Sequence, residues 1–132
     1  MQTTKVAFEG ATERDYDSTV ARCREELAGE GFGVLTEIDV QATLKKKLDV
    51  DVEPYVILGA CHPPSAHRAL AAAPEVGVLL PCNVTVSREG GRTVVRAMNP
   101  QSALSLVDAP EVAAVADEVG AALRRVVDAV TG

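Results

Sequence analysis

The C-terminal quarter of the chain places the strongest demand on the fold. Val112, Val115, Val119, Leu123, Val126 and Val130 recur every three or four residues, the spacing of one apolar stripe along an α-helix. A stripe this regular has to be covered, either by the chain's own core or by a second copy. Pro110 suits the opening turn, where a missing N–H has no intrahelical partner to lose, and Asp108-Ala109-Pro110-Glu111 carries the capping-box spacing.

Alternating segments supply a sheet to cover that helix. Thr4 to Glu9 places Val6 and Phe8 on one side, and Phe32, Val34, Thr36 and Ile38 alternate in the same way. Val56-Ile57-Leu58 is apolar on both parities, as expected of a central strand covered on both faces. Val84 and Val86 against Val95 and Ala97 form two inward-facing arms about Gly90-Gly91, a two-residue turn signal that sets Glu89 opposite Arg92 and Val86 opposite Val95.

Helices fall between these strands. Asp17 and Ser18 are N-cap candidates for a helix carrying Val20, Cys23 and Leu27, with Gly29 or Gly31 at its end. Cys23 lies on that stripe as a small core hydrophobe. Asp39 caps a helix bearing Val40, Leu44 and Leu48, whose Lys45-Lys46-Lys47 run reads as a solvated end complementing the helix dipole. Glu37, just before it, reads as a structural strand-end residue. Asn99-Pro100 starts a further helical turn. The fold expected is a single α+β domain over residues 1–132, its mainly antiparallel sheet packed against the N-terminal and C-terminal helices, with a ferredoxin-like topology as the alternative.

Several function classes are disfavoured by composition. With 13 basic and 19 acidic residues the net charge is −6, the wrong sign for nucleic acid or an anionic membrane surface. Trp is absent and only two Tyr and two Phe are present, leaving no stacking platform for bases. No apolar run approaches the roughly 20 residues that span a bilayer, and MQTTKVAFEG lacks the basic-then-apolar pattern of a secretion signal. A cytoplasmic protein is expected. Three cysteines without framework spacing then read as free thiols.

The chemistry-bearing residues crowd between Pro54 and Thr85, which hold Cys61, Cys82, both histidines and five of the seven prolines. Cys61 and His62 sit where a strand ends and a proline-started helix begins, a place where free N–H groups and the helix dipole can favour a thiolate. Cys82 shares the inward parity of Val84 and Val86 and reads equally well as core. Cys61, His62, His67 and Cys82 would suffice in number for a zinc or copper(I) site, but their spacing matches no recognised ligand set, and His67 reads as a surface residue. No metal or other cofactor is assigned. Ser65 and Cys61 lie near His62 without an orienting third group for nucleophilic catalysis. Phosphate binding at this helix start is disfavoured by the two prolines, which remove donor N–H groups.

These residues resemble the family called domain of unknown function 302, small bacterial and archaeal proteins found alone or as one domain of a longer chain. The resemblance is carried by Phe32-Gly33-Val34-Leu35-Thr36-Glu37-Ile38-Asp39-Val40 with its Lys-rich helix, by Tyr55-Val56-Ile57-Leu58-Gly59-Ala60-Cys61 with Pro63, by Leu80-Pro81-Cys82-Asn83-Val84, and by the Gly90-Gly91 hairpin. It implies a compact, dimeric α+β protein in which the positions of Cys61 and Cys82 belong to the family pattern, and it implies no activity. The pattern often has Asn after the first cysteine, where this chain has His62.

Three functional readings follow. The leading one is a small-ligand-binding or thiol-bearing accessory protein whose site is lined by Cys61, His62, Cys82 and Asn83. A second is a thiol-dependent redox or sulfur-transfer protein using Cys61 with Cys82. The third is a purely structural homodimer whose valine stripe is the interface.

Overall fold

A computed structural model describes residues 1–132. In chain order it runs β1 (Gln2–Thr3), β2 (Ala7–Thr12), α1 (Tyr16–Gly29), β3 (Gly33–Asp39), α2 (Val40–Leu48), β4 (Tyr55–Cys61), α3 (Pro63–Ala72), a 3-10 turn (Pro74–Leu79), β5 (Cys82–Glu89), β6 (Arg92–Met98), α4 (Pro100–Ala103) with a 3-10 turn (Leu104–Leu106), and α5 (Pro110–Thr131). The strands form one sheet of order β1-β2-β6-β5-β4-β3, antiparallel throughout. This is the expected α+β class with an antiparallel sheet; six strands in this order differ from the ferredoxin-like β-α-β-β-α-β arrangement. No helix is long and apolar enough to cross a membrane.

The β5–β6 hairpin anchors the register. Gly90 and Gly91 both have positive φ (59° and 79°), as a tight two-residue hairpin turn requires. Val86 pairs with Val95 and Glu89 with Arg92, as the sequence predicts. The ion pairs at the tip differ: Glu89 engages Arg96 and Ser87, while Arg92 reaches Glu13. On the helix-facing side, Val84, Val86, Val95, Ala97, Leu58 and Phe8 are fully buried. On them lies α5, whose stripe turns wholly into this core: Val112, Leu123, Val126 and Val127 have no exposure. The stripe is therefore spent inside the chain, the core-packing alternative of the two expected, and is not free to serve as a dimer face.

The N-terminal strand lies further along than its alternation suggests. Thr4 Oγ1 accepts from the Ala7 N–H (2.9 Å) and donates to the Ala7 carbonyl (3.1 Å), closing a turn before β2. Val6 sits on that turn, 78% exposed, and only Phe8 of the expected pair is buried. In α1 the cap is Asp15, whose carboxylate accepts from the Ser18 N–H at 2.7 Å, rather than Asp17 or Ser18. Cys23 and Leu27 are fully buried as expected. The cap of α5 is Ala109 without a side-chain hydrogen bond, and Glu111 of the expected capping box instead bonds Arg68 at 2.8 Å.

At the β3 edge, alternation breaks. A bulge between Val34 and Thr36 keeps Phe32 and Val34 toward the helices but turns Thr36 and Ile38 to the opposite side. Ile38 is 47% exposed, so the predicted single parity holds for only half the strand. Glu37 pairs with Arg24 (2.9 Å), and Asp39 caps α2 through the Ala42 N–H (2.9 Å), as expected. The lysines of α2 do occupy its last turn, but the helix has no buried residue. β4 lies one strand in from this edge. Val56, Leu58 and Ala60 are buried toward the core, while Ile57 on the other side is only half-buried, so the two faces are not covered equally.

Candidate functional site

The end of β4 opens into a cavity. Two prolines stop the strand pattern after Cys61 and start α3, with His62 as its N-cap residue and no side-chain cap. After α3 the chain turns through Pro74–Leu79, passes the cis Leu80–Pro81 peptide and re-enters the sheet at Cys82, which pairs with Ala60. Through this detour α3 leans mainly on α5 and on its own 3-10 turn rather than on the sheet. Beneath it lies a cavity of ≈ 280 Å³.

Its walls are mostly hydrocarbon. Ala60, Cys61 and Cys82 form the sheet end, Ala66, Ala69 and Leu70 the α3 side, Gly77, Leu80 and Pro81 the return, and Leu104, Val115 and Val119 the floor. Phe32 and Leu35 close the side nearest β3. No Asp, Glu, Lys or Arg is among them. The small Ala66 and Ala69 leave space that a larger side chain would fill.

The polar groups concentrate at one end. Ser65, 3% exposed, has its hydroxyl 2.7 Å from His62 Nδ1. The His62 ring packs on Phe32 with centroids 5.3 Å apart and planes at 57°. Its Nε2 edge abuts Gly31, where an added Cβ would come within 3.1 Å. Gly31 has φ +85°, so both its backbone and the adjoining ring favour glycine here. His62, Ser65, Phe32 and Val119 also wall a second, smaller cavity of ≈ 160 Å³ that contains Glu30, Glu118 and Arg125. In it Arg125 makes a forked pair with Glu30, the shortest contact being 2.8 Å.

The thiols differ in setting. Cys61 is half-buried; Cys82 is 6% exposed and Cys23 fully buried. Burial, with the neighbouring Cys61 as a smaller cause, pushes the Cys82 thiol up to about 11, and burial alone pushes Cys23 up to about 12. Both stay protonated at neutral pH.

Of the residues predicted from sequence, Cys61, His62 and Cys82 therefore come together on one cavity. Asn83 does not. Adjacent strand residues point to opposite faces, and Asn83 stands exposed, paired with Gly59 and away from the cavity. His67 is on the exposed side of α3. No group of three or more His, Cys, Asp or Glu side chains is placed to hold a metal ion. The walls from Phe32, Leu35, Leu80 and α5 went unpredicted because tertiary packing brings them; the local signal for the cavity is the Ala-rich face of α3.

Comparison with known proteins agrees with this fold. The family described as "Domain of unknown function DUF302" matches residues 8–130. The chain belongs to the DUF302 family. An uncharacterized conserved DUF302 protein from Bacillus stearothermophilus, known from its crystal structure, superimposes with a TM-score of 0.88 at 29% sequence identity. The match covers 96% of this chain and 98% of that one, so the two proteins share this fold along nearly their whole length. No curated protein is similar enough to this chain to match it.

Proposed function

We propose that this DUF302 protein binds a small, uncharged, mainly apolar molecule in the cavity beneath α3, with Cys61, His62 and Cys82 in its wall. The observation that carries this reading is the cavity's composition: ≈ 280 Å³ bounded by hydrocarbon, thiols and a single His–Ser pair, with no Asp, Glu, Lys or Arg. Apolar cavities of this kind favour ligands that need no desolvation of charge. Size follows by scaling: an engineered apolar cavity of about 150 Å³ holds benzene, so this one accommodates on the order of eleven non-hydrogen atoms. Titration calorimetry with 2-methylnaphthalene and with 2-naphthoate tests the reading. The neutral hydrocarbon binds and the carboxylate does not; binding of neither, or of the carboxylate preferentially, refutes it.

The thiol-enzyme reading is less well supported. No Lys or Arg lines the cavity, the first two helical residues of α3 are prolines without N–H groups, and Cys82 is held protonated by burial. These leave little to stabilise a thiolate.

A homodimer is a second, compatible reading, moved from α5 to the β3–α2 edge. Supporting it are the exposed Leu35, Ile38, Leu48 and Val50 gathered on β3, α2 and the following loop, beside a helix with no buried residue. Sedimentation equilibrium checks it. A dimer dissociated by Leu48→Lys is expected, and a monomeric wild-type protein rejects it.

A further inference from the structure

We infer that the ligand carries one neutral hydroxyl, and that Ser65, backed by His62, reads it. This deepens the proposed binding function and rests on it. Ser65 is 3% exposed and lines the cavity. A serine hydroxyl offers one proton and two lone pairs, yet its side chain makes a single hydrogen bond, to His62 Nδ1 at 2.7 Å. Almost wholly buried, the hydroxyl borders both the apolar cavity and the smaller one beside it, and the apolar cavity is the one with room for a ligand of this size.

The ring tautomer decides what is left over. If Ser65 donates to Nδ1, its lone pairs remain for a ligand donor; if Nδ1–H donates to Ser65, the serine proton remains for a ligand acceptor. A ligand hydroxyl serves either case because it both donates and accepts. A carboxylate or ammonium would require an opposite charge, and the cavity has none. His62 is held for this task by Phe32 on its face and by Gly31 at its edge. His62 is thus a positioning residue, and Ser65 the group that touches the ligand. The thiols are poor substitutes, being weak donors and weak acceptors.

The test pairs two ligands of equal shape, 2-naphthol and 2-methylnaphthalene, with wild-type protein and Ser65→Ala. The ratio of their dissociation constants cancels the ligands' own hydration between the two proteins. Removing the serine hydroxyl is expected to weaken 2-naphthol by about three- to tenfold and to leave 2-methylnaphthalene unchanged. An unchanged ratio, with both ligands still bound, overturns the hydroxyl assignment while the apolar cavity reading stands. Binding of neither ligand to the wild-type protein overturns both. Should Ser65→Ala fail to fold, the His62 imidazole nitrogen-15 shift in the wild-type protein gives the answer. It moves when 2-naphthol binds and stays when 2-methylnaphthalene binds; equal responses to both reject the assignment.

Discussion

Enlarging Ala69 distinguishes a real cavity from a loosely drawn core. Ala69 is 1% exposed, on the α3 wall of the cavity. Ala69→Leu adds three carbons, worth about 0.8 kcal/mol each if they fill empty apolar space. Leucine gives up about 0.5–1 kcal/mol of rotamer freedom on burial, so the net gain is about 1.5 kcal/mol. For a chain of 132 residues that raises the melting temperature by about 5 °C. The same substitution in a filled core forces strain and costs about 1–3 kcal/mol, so the sign alone separates the two cases. Thermal and urea unfolding followed by circular dichroism measure it. The variant is expected to be more stable and to have lost 2-methylnaphthalene binding. A destabilised variant, or a stabilised one that still binds normally, refutes the cavity as the ligand site.

Further outcomes follow from the same structure. Thiol titration at pH 8 labels one cysteine in the native protein, the half-buried Cys61, and three after unfolding; rapid native labelling of more than one contradicts the burial of Cys23 and Cys82. Glu89 is held down to about 2 by its hydrogen bonds to Arg96 and then Ser87. A carboxylate lowered in the folded state contributes stability above its unfolded value of about 4.3 and loses it as pH falls toward the folded value. Because Glu89 is 43% exposed, solvent screening limits the loss to about 1 kcal/mol. Glu89→Gln flattens the decline between about pH 4.5 and 2, and an unaltered acid limb argues against the pair. Gly31→Ala costs about 1–3 kcal/mol from its left-handed backbone and displaces the His62 ring, so its histidine resonances shift; a neutral change with unmoved resonances contradicts the contact.

What could be read from sequence was what is periodic. The α5 stripe, the valine arms about Gly90-Gly91 and the buried Cys23 each follow from one local period, and local periods survive folding. The errors arose where one interaction interrupts a period. Thr4 closes a turn that throws Val6 outward, Leu35 lies at a bulge that reverses Thr36 and Ile38, and Glu111 leaves its capping box for Arg68. The site divided in the same way. Cys61, His62 and Cys82 met because the strand register places Ala60 beside Cys82. Asn83 was lost to strand parity, which was legible. The hydrogen bond between Ser65 and His62 depends on a ring orientation set by Phe32 and Gly31, residues about thirty positions away in sequence, and no local pattern specifies that.

The seating of α3 on α5 and on its own turn, with open space instead of sheet beneath it, has a consequence for motion. The hold on this helix therefore comes from α5 and from its own turn, and segments with few contacts to the sheet are those whose local opening costs least. A molecule in the cavity would fill the space between α3 and the floor of Leu104, Val115 and Val119, adding apolar contacts to that helix and to the Pro74–Leu79 turn. The hairpin and α5 would not need to move. Occupancy would then be felt by this protein chiefly as a change in how long one helix stays shut.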